Sequence, residues 1–209
     1  VDRTFEIEQF SDILAEQLDS ILCQTHENLT VLARDDGSAD DTLEILSAYA
    51  ARDARVRFFA GENVGFLNSF FMLLERADAG GYLAFSDQDD VWLPDKLERA
   101  VAWLDAQEQT KPLLFHGAYA MADEQLVRIR DVPPPDPPFS FARALTENVC
   151  SGFAMVVNGG MRGAMLRFDR NALDFHDWLA AAIAAGFGEI RFDAQIAALH
   201  RRLDSSVTA

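Results

Sequence analysis

Apolar residues recur at a period of about 3.6 and of two, in turn, along roughly the first 120 residues of this chain. That alternation restricts the fold more than any other feature. Ile13, Leu14, Leu18, Ile21 and Leu22 form one stripe of a helix over Asp12–Cys23, and the short β-branched run Leu29–Ala33 reads as a buried strand. Ser38, with Asp41 three residues on, reads as the N-cap of a helix through Leu43, Ile45, Leu46 and Tyr49. Strands over Val56–Phe59, Tyr82–Phe85 and Leu113–Tyr119 then alternate with helices over Asn68–Ala77 and Pro94–Gln107. The pattern predicts an α/β layer fold with a mainly parallel sheet. Apolar residues make up 49% of the chain, enough for a buried core and too many for a disordered one.

The rhythm stops at Pro133–Pro138, which holds five of the seven prolines and must be extended. Beyond it the pattern predicts a helix over Phe139–Glu147, a strand over Gly152–Val157, a helix over Asp174–Ala185 and a strand over Glu189–Phe192. The roughly 70 residues after the prolines are few for a separate core, so one domain over 1–209 is expected, with a surface connection at about 131–139. A formal charge of −16 argues against a nucleic-acid partner and against anionic lipid. Two cysteines, Cys23 and Cys150, exclude a disulfide scaffold and fit a reducing compartment. The longest nearly uncharged apolar stretch, Trp178–Gly188, is too short for a bilayer span, and Val1–Phe10 lacks the marks of a secretory leader. A cytoplasmic protein is expected. The charged Val1–Glu8 stretch stands where a nucleotide-binding α/β fold has a buried first strand, so both ends read as abbreviated.

Two acidic clusters follow predicted strands: Asp35-Asp36-Gly37-Ser38 and Asp87-Gln88-Asp89-Asp90. Ligands of open α/β sheets bind outside the carboxyl ends of strands, so both clusters face one edge. Crowding carboxylates is unfavourable unless a cation or donor groups compensate. Asp-Gly also makes turns, which serves Asp35 as well as any chemical role. The Asp-x-Asp spacing of Asp87 and Asp89 makes a poor turn and suits a hard cation with oxygen ligands.

The run Phe85–Lys96 (FSDQDDVWLPDK) and the run Leu32–Asp40 (LARDDGSAD) resemble the family 2 glycosyltransferases, within them the bacterial rhamnosyltransferase-type branch. Ala15–Leu22 with Gln24-Thr25, Glu62–Phe66 and His176-Asp177-Trp178 extend the resemblance from about Thr4 to Arg201. It implies a GT-A fold transferring a sugar from a nucleotide diphosphate sugar, dTDP-rhamnose or a UDP-hexose, with inversion. The acceptor implied is a saccharide or lipid-linked saccharide of a growing surface polysaccharide, with membrane contact open. It divides the domain into a nucleotide-sugar part over about 1–130 and an acceptor part over about 140–209. By position, Asp36 matches the contact to the base, and Asp87 and Asp89 the ligands of a divalent cation, Mg²⁺ or Mn²⁺. Asp177 matches the general base, Asn63 and Gly65 the loop beside the nucleotide sugar, and Ser151, Gly152 and Trp178 the acceptor side.

A single in-line displacement needs one carboxylate to take the acceptor proton and a cation to steady the leaving diphosphate. Asp177 lies on a segment apart from Asp87 and Asp89, as opposite faces of the sugar require. The structural alternative makes Asp177 a helix-start carboxylate with Trp178 as core. Lys96 reads as a solvated first-turn lysine, with phosphate contact the alternative. The family's opening Thr-Tyr-Asn survives only as Thr4-Phe5-Glu6, still assigned to the nucleotide sugar, and its late Tyr-Arg-Gln-His appears as His200-Arg201-Arg202-Leu203. Arg201 keeps the place of a phosphate-facing cation. Those departures keep open a second reading, a nucleotide-sugar-binding accessory protein without turnover. A third, phosphoryl transfer at the strand-end aspartates, lacks a lysine after Leu113–Met121.

Overall fold

A computed structural model describes residues 4–133, 135 and 139–202, without the side chains of residues 4–11. Most of the proline run, and Leu203, therefore lie outside the described residues. Helix α1 covers Thr4–Leu22, starting well before Asp12. Thr4-Phe5-Glu6, matched by resemblance to the end of an opening strand, is instead the first turn of α1. A buried strand would have to desolvate the charged Glu6 and Glu8, which argues against one here.

Strand β1 (Val31–Asp35) pairs in parallel with β2 (Val56–Ala60), in register from Val31 against Val56 to Asp35 against Ala60. Between them α2 spans Thr42–Arg52 and is capped at Asp41 rather than at Ser38. The Ser38 amide is already engaged, because the buried Asp35 carboxylate accepts from the Gly37 and Ser38 N–H groups at 3.2 Å each. That side-chain turn ends the strand and delays the helix.

Helix α3 (Phe66–Arg76) leads to β3 (Leu83–Ala84), followed by β4 (Val91–Trp92) and α4 (Lys96–Asp105). Strand β5 (Leu113–Ala122) turns into β6 (Arg128–Val132). After the prolines come a short α5 (Phe141–Ala144), a 3-10 turn at Gly152–Ala154, and β7 (Met155–Val157). Then follow α6 (Gly159–Met165), α7 (His176–Phe187) and β8 (Glu189–Arg201). The expected α/β layering is present, and the larger sheet is mixed. Its order is β3-β7-β5-β8-β4 with β6 beside β5; β5 and β8 run parallel and the other pairs antiparallel.

Strand β5 reads as a continuous apolar run because both its faces are covered. Leu114 packs with Met161, Met165 and Ile183 under α6 and α7, while Leu113 and Phe115 pack with Leu97, Ala100 and Leu104 of α4. Helix α6, unforeseen in the glycine-rich Gly159–Met165, is nucleated by buried Asn158, whose side chain accepts from the N–H groups of Met161 at 2.9 Å and Leu113 at 3.0 Å.

Strand β8 is far longer than its expected Glu189–Phe192, and the reason is a bulge. Gly117 of β5 faces Asp193, but the next residue, Ala118, faces Ile196. The polar Asp193-Ala194-Gln195 therefore interrupts the period without ending the strand. Arg99 of α4 clamps the bulge, pairing with Asp193 and donating to the Ile196 carbonyl at 3.1 Å. A side chain at Gly117 would lie 2.4 Å from the Ala197 side chain, so glycine permits the close crossing. Beyond the bulge, β8 delivers His200 and Arg201 to the loop that carries Asp87 and Asp89.

Candidate active site

Asp87 and Asp89 lie half-buried between β3 and β4, in a loop held from below. Ser86 accepts from Gln17 of α1 at 2.8 Å. Asp90 is fully buried, and its Oδ1 accepts from His200 Nδ1 at 2.9 Å and from the Arg201 N–H at 3.2 Å. The Arg201 guanidinium donates to the Asp89 carbonyl at 3.1 Å and the Glu124 carbonyl at 2.6 Å, and pairs with Glu16. It is buried. The expectation of a phosphate-facing cation is thus corrected: Arg201 organises the acidic loop from behind.

Lys96 is corrected too. It is fully buried, donates to the Phe153 carbonyl, and places Nζ 3.4 Å from the centre of the Trp92 ring. Burial pushes its pKa well below the ordinary lysine value, against the pull of Asp90 and Asp87. Burial, and then the charges of Asp90 and Asp89, push Asp87 up to about 7. Asp89 is raised as well, first by burial and then by Asp90. Such a loop favours any arriving positive charge. Among the described residues no three His, Cys, Asp or Glu side chains are arranged to hold a metal by themselves. A cation on Asp87 and Asp89 would complete its shell with oxygens from a ligand or from water, which suits a bound diphosphate.

Asp177 sits in the first turn of α7, after Phe175 at the cap. Its Oδ1 accepts from Asn148 Nδ2 at 2.9 Å and from the Trp178 N–H at 2.7 Å, and its Oδ2 from the Gly152 N–H at 3.2 Å. Burial raises its pKa despite these donors. The ring of the adjacent His176 packs on Phe85, centroids 4.8 Å apart, so the fold brings together two segments about ninety residues apart in sequence. Trp178 is half-buried, and its indole N–H donates to the Ala144 carbonyl at 2.6 Å, tying α7 to α5. Ser151 donates its N–H to buried His116 Nε2 at 3.0 Å. Gly152 must be glycine, because a side chain there would come within 2.7 Å of His176 Nε2.

The residues expected beside the nucleotide also converge. Asp36 accepts from Arg34 and from the N–H groups of Val64 at 2.9 Å and Gly65 at 3.0 Å, and Asn63 Oδ1 accepts from the same Gly65 N–H at 3.1 Å. Burial alone would raise the Asp36 pKa, but the Val64 amide and Arg34 hold it below the usual carboxylate value. Thr4, Phe5 and Glu6 have no described side chains, so their contacts lie outside the described residues.

Sequence reasoning did not single out Arg34, Asp90, Asn148, His176 and His200. His176 stood in the same His-Asp-Trp run as Asp177 and could have been weighed from it. Both its ring nitrogens are buried without a hydrogen-bond partner among the described residues, and burial pushes its pKa down to about 4. From about pH 6.5 down to 4 the unfolded chain therefore binds a proton here that the native state lacks, and stability falls as pH drops through that window. His176→Leu removes this dependence. Relative to wild type, the variant is expected to gain about 2 kcal/mol between about pH 7.5 and about pH 5, measured by urea unfolding. An unchanged difference at the two pH values contradicts a neutral buried imidazole.

The family model "Glycosyl transferase family 2" matches residues 7–149, more than half of the chain. The putative teichuronic acid biosynthesis glycosyltransferase TuaG of Bacillus subtilis is 34% identical over 114 residues, covering 54% of this chain and 44% of that protein. Among solved structures, residues 1–349 of TarS from S. aureus superpose with a TM-score of 0.64 at 17% identity, covering 92% of this chain and 58% of that one. The mannosyltransferase PcManGT of Pyrobaculum calidifontis, solved with GDP-Man and Mn²⁺, gives a TM-score of 0.60 at 16% identity, covering 94% and 55%. The chain spans less than half the length of the curated relatives it matches. At these identities the structural likeness shows the fold, which is GT-A. The matched family model and the fold together place this chain in glycosyltransferase family 2.

Proposed function

We propose that this chain carries the donor site and the catalytic base of an inverting glycosyltransferase, acting at the cytoplasmic side on a surface polysaccharide. The observation that carries the reading is a carboxylate, Asp177, held by three donors next to His176, whose ring packs 4.8 Å from that of Phe85, two residues before Asp87. In this reading Asp177 takes the proton of the acceptor hydroxyl while Asn148 and the Gly152 and Trp178 amides fix its orientation. Asp87 and Asp89 would hold a divalent cation, Mg²⁺ or Mn²⁺, which would supply charge stabilisation for the diphosphate leaving group. The Pyrobaculum mannosyltransferase, solved in complex with GDP-Man and Mn²⁺, supports a divalent cation here. The Asp36, Asn63 and Gly65 loop would flank the nucleotide, and Ser151, Gly152 and Trp178 would line or brace the acceptor side. dTDP-rhamnose or a UDP-hexose is the donor we favour. The polysaccharide acceptor rests on the teichuronic acid role in the name of TuaG.

The burial of Arg201 favours one second reading, a fold that binds nucleotide sugar without turning it over. Incubating the protein with each donor, Mn²⁺ and a panel of saccharide acceptors, with product anomers assigned by NMR, separates the two. Inverted product supports the proposal, retained configuration overturns the single displacement, and donor binding without transfer or hydrolysis favours the second reading.

A further inference from the structure

Phe66 opens α3 with 55% of its surface exposed, and Phe175, just before α7, is 42% exposed. Their ring centroids are 6.0 Å apart, with the planes tilted by 35°. Two large apolar rings left together in water forgo burial that such side chains ordinarily gain. Their placement is fixed from below. One helical turn along α3, Phe70 stacks on His176 at 4.1 Å, and both rings pack on Phe85, at 5.8 Å and 4.8 Å. This inner triad locks α3 against α7 and holds the outer pair as a rigid ledge.

The ledge lies where the two sides of the site meet. Phe66 directly follows the loop whose Val64 and Gly65 amides bind Asp36. Phe175 stands two residues before Asp177, whose neighbour Asn148 offers a side-chain amide at an exposed position. Asp87 follows Phe85 by two residues, so the inner triad links the ledge to the acidic loop. A lipid surface is a poor occupant, because a chain of net charge −16 is repelled by anionic headgroups.

We infer that Phe66 and Phe175 form a stacking subsite for a pyranose ring of the acceptor saccharide. The apolar C–H face of the sugar would lie on the two rings, with its hydroxyls turned to Asn148 and Asp177. The inference rests on Asp177 being the base of the proposed reaction.

The test uses saturation-transfer NMR on the whole chain with a panel of methyl glycosides of rhamnose, glucose, galactose and their N-acetylated forms. UDP and dTDP affinity with Mn²⁺ is read on the same samples. Phe66→Ala and Phe175→Ala are each expected to weaken glycoside binding about fivefold or more, while Phe175→Tyr retains it. Nucleotide affinity is expected to stay within about twofold of wild type in all three. Glycoside binding that is equal in wild type and both alanine variants overturns the subsite, and so does its absence in wild type. Loss of binding to anionic phospholipid vesicles in the alanine variants, with glycoside binding unchanged, would reassign the ledge to a membrane. A donor site that fails shows instead as lost nucleotide binding in wild type, so the two failures are told apart.

Discussion

Asp177→Asn is expected to lower sugar transfer about 10²- to 10⁴-fold while leaving nucleotide affinity within about twofold of wild type. The carboxylate is wedged among three donors, from Asn148, Trp178 and Gly152, so the isosteric amide keeps the space and loses the basicity. An amide can still accept on its oxygen, but its N–H₂ must then meet a donor, which adds a small local destabilisation. None of the hydrogen bonds described for Asp177 reaches the loop where Asp36, Asn63 and Gly65 gather, which we propose flanks the nucleotide. Initial transfer rates and calorimetry on the same variant separate the two effects. Near-normal turnover would remove Asp177 from the mechanism, and a parallel loss of nucleotide binding would make it structural.

Arg201→Leu is expected to cost about 2–4 kcal/mol of stability. The guanidinium is buried and reaches the Asp89 carbonyl, the Glu124 carbonyl and Glu16. Leucine leaves the two carbonyls without that donor and leaves Glu16, which is half exposed, to water. For a chain of this size that loss lowers the thermal midpoint by roughly 5–15 °C. Because one of these bonds fixes the backbone of Asp89 itself, cation-dependent nucleotide binding is expected to weaken as well, even where the variant remains folded. A thermal midpoint within a degree or so of wild type would show the network to be dispensable.

What the sequence disclosed and what it withheld divide along physical lines. The buried face of β5 was legible from Leu113–Tyr119, because a strand covered on both sides leaves an apolar run, here interrupted only by the buried His116. The acidic clusters were legible because strand ends are where an α/β sheet gathers ligands. By contrast, β4 is only Val91–Trp92, too short to carry a period, and exists through its pairing with Leu199 and Ala198. The second half of β8 was hidden by its bulge, and with it the arrival of His200 and Arg201 behind the site. Lys96 and Arg201 misled for one reason: charged side chains are read as solvated or ligand-facing. Here Trp92 and the Phe153 carbonyl receive the first, and Asp89, Glu124 and Glu16 the second. Such partners are tertiary and leave no local signature. The opening helix α1 was half legible: the stripe from Ile13 was plain, but Thr4–Glu6 was matched to a strand it does not form.

Everything proposed for the site depends on cation-dependent donor binding at Asp87 and Asp89. Calorimetric titration with UDP and with dTDP, in Mn²⁺ and then in EDTA, tests it most directly, with Asp89→Ala as the control. At least one nucleotide is expected to bind in Mn²⁺, and EDTA or the alanine variant is expected to weaken that binding at least tenfold. Equal affinity with and without metal, or no binding of either nucleotide by the folded wild-type chain, would contradict the donor site.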